Sequence, residues 1–268
     1  MKRKVGINID CVKGHSPLDT LELIKAQGFE CFFTGEYIVD YDEVARIKER
    51  GERLGLSYEF IHAPFRSVNG VWGDEEQAKP FVDGIVNAID NASRCAVPYI
   101  ILHASSGWTP PPMNEQGFKR YDYLVSYAKE RGVGLAIENL RIYDYYAKLI
   151  ERYKNFGAVY FCYDNGHEHC YNFDADHIAV FKDIMKCTHI HDNFGKTSQD
   201  PSIDDDLHFL PFDGNFDYAQ MIRRMDENGY DGPLTLEVFN SLSPCYENLS
   251  AEEFIKTCYD RIVKIANM

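Results

Sequence analysis

Six short apolar runs of this chain each end on a residue type that binds metal. His62 follows SYEFI, His103 follows YIIL, Glu138 follows VGLAI, Asp164 follows VYFCY, His191 follows THI and Glu237 follows PLTL. His167 lies three residues beyond Asp164, and Asp206 and His208 form an Asp-x-His pair in the polar stretch after His191. Taken singly, a His in such a place is an ordinary hydrogen-bonded wall residue, and an Asp or Glu suits the N-terminus of a following helix. Taken together they imply more. Carboxylates and imidazoles crowded in one buried place are costly unless something compensates them. A bound cation turns mutually repelling carboxylates into a stable set. The expected chemistry is that of at least one divalent metal: a carboxylate-rich set with one His suits Mn, Mg or Co, and the His-rich remainder suits Zn.

The elements that must position these residues alternate along the whole chain. Strand-like runs at 5–9, 31–34, 57–61, 99–102, 133–137, 158–163, 188–190 and 234–238 are short and apolar, as strands buried on both faces are. Amphipathic segments at 18–27, 41–54, 75–95, 118–131, 143–154, 176–185, 218–228 and 251–266 read as helices, with Gly28, Gly55, Gly132 and Gly229 as stops. Strict alternation argues for a parallel sheet, and eight repeats argue for closure into a single (β/α)8 TIM barrel over residues 1–268. The rival, an open doubly wound sheet, would carry a Gly-rich phosphate fingerprint after its first strand, and none is there. In a barrel the strand C-terminal ends converge on one face, so the six residues above are expected to meet. The link from Asp192 to Phe216 is too polar for core and too long to be idle. His189 points to the same strand face as His191 but lies deeper, which reads as a layer residue of the barrel interior. His15 and His177 read as surface residues, and His169 lies in a loop, GHEH, after the sixth strand.

Composition narrows the partners. A net charge of −14 over 268 residues repels polyanions, so neither nucleic acid nor an anionic membrane is an expected partner. Lys and Arg cluster only at Lys2–Lys4. None of the eight cysteines forms a CxxC pair, which argues against a thiolate zinc site, and Cys31, Cys162 and Cys187 fall inside apolar runs as small buried hydrophobes. The start, MKRKVGINID, reads as a first strand rather than a signal peptide, and no apolar stretch approaches the ~20 residues of a spanning helix. Cytoplasmic location is the expectation. Barrels of this kind often form homo-oligomers, but no feature of the sequence decides it.

At these same residues the sequence resembles the xylose-isomerase-like barrel superfamily, in particular its sugar phosphate isomerase/epimerase proteins. The likeness covers nearly the whole chain. IHAPF, ILH, IENL and YDNGH match family blocks in order, and the most specific part is HIHDNFGK, DLHFLPFDGNFDY and GYDGPLTLEVF in the C-terminal third. The resemblance implies one metal held by Glu138, Asp164, His191 and Glu237, with Glu138 and Glu237 also acting as acid and base on opposite sides of the substrate carbon. A metal-polarised carbonyl makes the neighbouring C–H acidic, and paired carboxylates can take and return its proton. His167 would contact a substrate hydroxyl. The substrate class implied is a small sugar or sugar phosphate. One departure argues against a ketose 3-epimerase in particular: the Glu and Arg those enzymes carry after the metal His are replaced here by Asp192-Asn193-Phe194-Gly195-Lys196.

A second resemblance is to the AP-endonuclease branch, whose trinuclear zinc set matches His62, His103, Glu138, Asp164, His167, His191, Asp206, His208 and Glu237. That reading implies a metal-dependent phosphodiesterase, and the acidic net charge opposes it. A lyase or dehydratase on a polyhydroxylated acid uses the same kind of site, and a sugar sensor without turnover is the non-enzymatic alternative. For substrate contacts the sequence offers Trp72 and Trp108, stacking on a sugar or packed under their own loops. It also offers Glu36, a hydroxyl ligand or a helix cap, and Lys196, a substrate-oxygen or phosphate contact or a solvated loop residue. Asn139 and Asn193 each follow a ligand-type residue and are placed to orient it.

Overall fold

The apolar runs become strands because both of their faces have something to pack on. In the computed structural model, which describes residues 3–172, 174–242 and 246–268, eight strands form: β1 (Val5–Asn8), β2 (Cys31–Thr34), β3 (Ser57–His62), β4 (Tyr99–Leu102), β5 (Gly134–Glu138), β6 (Val159–Asp164), β7 (Met185–His189) and β8 (Leu234–Leu236). Every residue of β1, β2, β5 and β8 is buried. The strands are parallel and pair in sequence order from β1 to β7, with β8 beside β1. The seam between β7 and β8 closes just past the strands. Ile190 N–H donates to Thr235 O at 2.8 Å, Glu237 N–H donates to Ile190 O at 3.1 Å, and Thr235 N–H donates to the Thr188 hydroxyl at 3.0 Å. The result is a single (β/α)8 TIM barrel, as the alternation implied.

Helices α1 (Pro17–Gln27), α2 (Tyr41–Leu54), α3 (Glu75–Arg94), α4 (Glu115–Glu130), α5 (Tyr143–Tyr153), α6 (Asn165–Tyr171), α7 (His177–Phe181), α8 (Tyr218–Glu227) and α9 (Ala251–Ala266) connect and follow the strands. Most of their starts are written locally. Ser16, Asp40, Asp74, Asn114, Asp217 and Ser250 each accept a hydrogen bond from a backbone N–H in the first turn of the helix that follows. Gly28, at φ 107°, ends α1 in the left-handed conformation that glycine tolerates best.

Three expectations are corrected here. The GHEH segment is not a loop: it is α6, a short helix whose start is capped by the Asp164 side chain. Strand β7 begins at Met185, three residues earlier than its apolar pattern suggests, because Lys186 turns outward and interrupts the run. His177 is fully buried rather than on the surface. Its Nε2 lies 2.7 Å from the Tyr146 hydroxyl and its Nδ1 3.4 Å from Glu168, so polar partners on α5 and α6 make its burial tolerable.

Inside the barrel a compact layer forms from Phe33, Phe60, Ile101, Ala136, Cys162 and Cys187. Phe33 and Phe60 stack with ring centroids 4.4 Å apart. The seven described cysteines are free and buried; Cys245 lies outside the described residues. Among the described residues no helix is long and apolar enough to cross a membrane.

Candidate metal and sugar site

Just beyond the strand ends, asparagines extend the sheet by side chain. Asn139, after β5, donates to Asp164 O and accepts from Asp164 N–H, both at 2.8 Å. Asn165, after β6, makes the same reciprocal pair with the backbone of His191, at 2.9 and 3.0 Å. Asn8, at the end of β1, accepts from Val238 N–H at 3.2 Å. These amides fix the backbone of the very positions that carry Asp164 and His191, and of the residue next to Glu237. Asn193 also braces the site, donating to Gly166 O at 3.0 Å and accepting from Gly195 N–H at 2.8 Å. Gly166 has to be glycine, because a Cβ there would overlap the His191 ring.

The long link after β7 folds back over this floor. Asp192 anchors it, accepting from the N–H groups of Phe212 at 2.8 Å and Phe216 at 3.2 Å, while its backbone pairs with Phe209. The fold-back delivers Asp206 and His208. His208 adopts a left-handed backbone, φ 47°, and its ring stacks on His191 with centroids 4.0 Å apart. Such a conformation in a non-glycine residue is retained where the surroundings demand it.

The side chains converge in four groups, each offering one nitrogen or oxygen per residue within 4.8 Å of the others: three that share members (His62, His103 and Glu138; His62, His189 and Glu237; Glu138, Asp164, His189 and Glu237) and a separate one of His167, Asp206 and His208. Glu138 is the hub. Its carboxylate lies 3.1 Å from His103, 3.1 Å from His167 and 3.2 Å from His189. His189, read from sequence as interior, is indeed interior: its ring stacks on Phe33 with centroids 5.2 Å apart. It also reaches Glu237 at 3.3 Å, and in the central group it takes the place expected for His191. His191 instead pairs with Asp164 at 3.2 Å and lies 3.7 Å from Asp206.

These groups suit a divalent cation by the chemistry of their donors. Neutral imidazoles and carboxylates are its usual ligands. His189 Nε2, His191 Nδ1 and Asp206 Oδ1 are buried without a hydrogen-bond partner among the described residues. Without a cation, the histidines supply the positive charge. Burial depresses the His208 and His189 imidazoles, but the charges of Asp206 on the first, and of Glu237 and Glu138 on the second, outweigh it and raise them to about 10 and about 9. Burial alone would push the Glu138 carboxyl up. The charges of His189 and His103, with hydrogen bonds from His103 and His167, reverse that and hold it well below the usual carboxylate range.

Above the cluster opens a cavity of about 550 Å³. Its lining includes His62, His103, Glu138, His167, Asp206, His208 and Glu237, and also Asp10, Glu36, Tyr37, Phe65, Arg141 and Phe239. Of the substrate contacts expected from sequence, Glu36 and His167 are on the wall. Trp72 is not. It is buried on a 3-10 turn against Gly117, Phe118 and Tyr121, where the missing side chain of Gly117 makes its slot. Trp108 and Lys196 also lie off the wall: the Lys196 ammonium sits over the Trp108 ring at 4.9 Å, and Trp108 packs edge-on against Tyr171, which in turn stacks on His167. Trp72→Ala is therefore expected to lower stability by about 3–5 kcal/mol through a core cavity. Thermal melting and sugar affinity check this: a lower melting temperature with unchanged affinity is expected, and an affinity loss without destabilisation would contradict the placement.

Sequence reasoning did not single out Asp10, Arg141, Tyr37 or Phe65. Arg141 had one available signal, its place three residues after Glu138 in IENLR. Among the described residues it is the one Arg or Lys on the wall, stacked on Tyr171 and paired with Asp204 at 3.3 Å.

Fold and site together define a TIM barrel whose strand ends gather His, Asp and Glu beneath an open cavity. The chain belongs to the xylose isomerase-like TIM barrel family, whose model matches residues 19–258. It is 29% identical over 177 residues to the uncharacterized protein y4fM of Sinorhizobium fredii, a match covering 60% of this chain and 53% of that protein. The chain thus aligns with about half the length of that relative. Among solved structures it is similar to a D-tagatose 3-epimerase-like protein, at 20% identity with a TM-score of 0.72, covering 98% of each chain. It is also similar to a 3-keto-D-glucoside 4-epimerase from E. coli, at 15% identity with a TM-score of 0.72, covering 100% of each.

Proposed function

We propose that this protein is a divalent-metal-dependent isomerase or epimerase that moves a proton at a carbon of a sugar or sugar phosphate. The observation that carries this reading is the central group, in which Glu138 and Glu237 lie within 4.8 Å of each other's ligand atoms together with Asp164 and His189. Glu138, Asp164, Glu237 and either His189 or His191 would hold the metal, which when bound supplies positive charge to a substrate carbonyl and hydroxyl. The pairing of strands places β5 and β8 far apart around the barrel, so Glu138 and Glu237 approach the centre from different sides. One carboxylate takes the proton from the activated carbon and the other returns one. Glu138, held well below the ordinary carboxylate range, is deprotonated at neutral pH as a proton acceptor must be; so depressed a carboxylate is a weak base, and its position rather than its basicity assigns it the role.

His167 lines the cavity with both ring nitrogens engaged, Nε2 2.9 Å from Asp206 and Nδ1 2.9 Å from the Asn139 carbonyl, so it would orient a substrate hydroxyl by exchanging its contact with Asp206. Arg141 would bind the anionic group of a phosphorylated substrate, since guanidinium matches phosphate geometry. The sugar epimerases among the similar structures support the substrate class. The test is turnover in D2O with metal-reconstituted protein and a panel of ketoses and their phosphates, followed by NMR. Deuterium appearing at one sugar carbon, or a new epimer, is expected. Intact sugars without exchange across the panel would overturn the reading.

One observation favours a second reading. The groups His62–His103–Glu138 and His167–Asp206–His208 flank the central one and could hold further metal ions, as a phosphodiesterase of the AP-endonuclease branch would require. Chelator-sensitive cleavage of abasic-site DNA would establish it. The five carboxylates on the cavity wall, Asp10, Glu36, Glu138, Asp206 and Glu237, against one Arg, weigh against a polyanionic substrate.

A further inference from the structure

The cavity wall holds one carboxylate that the metal and proton-transfer chemistry leaves without a task. Asp10 follows β1 and lines the cavity beside Gly35, Glu36 and Glu237. The other wall carboxylates are engaged. Glu138, Asp206 and Glu237 face histidines and belong to the metal-type groups, and Glu36 pairs with Arg66 at 3.0 Å. Asp10 belongs to none of those groups, and among the described residues no Lys, Arg or His nitrogen lies within 4.0 Å of it, His62 acting on it only from farther off. A half-buried carboxylate without a paired cation is costly unless hydrogen-bond donors reach it, and burial does raise the Asp10 carboxyl above its ordinary value. The protein supplies one from a side chain: Asn8 Nδ2 donates to Asp10 Oδ1 at 3.1 Å.

The surroundings hold that carboxylate in place. Asn8 uses its other end to accept Val238 N–H at 3.2 Å, so a single amide ties Asp10 to the backbone next to Glu237. On the opposite side Asp10 Oδ2 occupies the space a side chain at position 35 would need, since a Cβ on Gly35 would overlap it. The carboxylate is thus fixed by an asparagine on one flank and admitted by a glycine on the other.

We propose that Asp10 is a substrate-binding residue that accepts hydrogen bonds from adjacent hydroxyl groups of a polyhydroxylated substrate, on the Glu237 side of the cavity. This rests on the sugar reading above. A carboxylate offers two oxygens, and hydrogen bonds to an ionised acceptor are stronger than neutral ones. A buried group built to bond a substrate hydroxyl discriminates strongly against the analogue lacking it. Asp10 would thereby select sugars bearing free hydroxyls at this end and reject deoxygenated ones.

The experiment compares the metal-reconstituted wild type with Asp10→Asn and Gly35→Ala. The probes are D-fructose, D-tagatose, L-ribulose and their monodeoxy analogues, with affinity read by calorimetry and exchange by NMR in D2O. For the sugar the wild type binds best, Asp10→Asn is expected to bind roughly 10- to 100-fold more weakly. Its exchange rate at saturation should stay within about threefold of wild type, because uniform binding is what is lost. One deoxy analogue should weaken binding to the wild type and cost nothing further in Asp10→Asn, since the two changes remove the same contact. Gly35→Ala, which displaces the carboxylate, should reproduce the affinity loss. Unchanged affinity in Asp10→Asn, or deoxy and mutational losses that add, would overturn the proposal while leaving the sugar reading intact. Loss of metal from Asp10→Asn would overturn it too, assigning the residue to the metal. Failure of every probe to bind or exchange with the wild type would defeat the sugar reading, and this inference with it.

Discussion

Glu138→Gln is expected to lower turnover by roughly 10²–10⁴-fold, the scale associated with loss of a positioned acid or base, and further if the metal leaves as well. The expectation comes from the position of the carboxylate. It is 1% exposed and meets His103, His167 and His189 within 3.2 Å, so one change from charge to amide removes the shared acceptor of three buried rings and the counter-charge of His167 and His189, whose imidazoles are raised despite burial. Gln cannot replace that charge, and a buried charge left without its partner is strongly destabilising. Glu237, at 13% exposure, lies nearer the open cavity and its replacement should spare more of the metal while still blocking proton transfer. Turnover and metal content measured side by side on both variants check this. Full metal with wild-type turnover in Glu138→Gln would remove that residue from the chemistry.

Metal should also invert the pH dependence of stability. In the metal-free protein His189 and His208 are raised to about 9 and about 10 from an ordinary value of 6.5, burial being outweighed by Glu237 and Glu138 at the first and by Asp206 at the second. A group raised in the folded state contributes stability that is fully present below its unfolded value. That contribution is lost as pH rises through the folded value. The metal-free protein is therefore expected to lose stability between about pH 6.5 and pH 10, because the imidazoliums that neutralise the carboxylates discharge. A metal in the central group takes the His189 nitrogen only when it is unprotonated, and its charge beside Glu237 also disfavours the His208 imidazolium, so its affinity rises over the same window and its binding near pH 7.5 releases protons. Melting curves with and without metal should diverge as pH rises from 6.5 to 9. Calorimetry in two buffers of different ionisation enthalpy should register the released protons. Parallel melting curves with no proton release would show that metal does not displace protons from these histidines.

Much of this architecture was legible in the sequence for a physical reason. A barrel strand is short, doubly buried and followed by the residue that faces the catalytic end, so apolar runs ending on His62, His103, Glu138, Asp164, His191 and Glu237 announce both fold and site at once. What the sequence does not carry is the direction in which a side chain leaves a loop. Trp72 occupies a slot made by Gly117, forty-five positions away, and nothing local to Trp72 shows that slot. His177 has the same difficulty, since its partners Tyr146 and Glu168 come from other helices. His189 and His191 share a strand face, and period-two reasoning alone leaves open which of them reaches Glu237. Asp10 and Arg141 escaped because each stands alone in its segment, without the pattern that gave the other residues meaning.

The most direct test is elemental analysis of the purified protein, as isolated and after reconstitution with Mn, Co or Zn and removal of excess ion. At least one equivalent of divalent metal per chain is expected, retained by the wild type and reduced in Glu138→Gln. An amount near one favours the central group alone, and two or three extend it to the flanking histidine groups. No bound metal after reconstitution would contradict the account at its base, leaving the histidines and carboxylates as a network of ion pairs without the chemistry proposed for them.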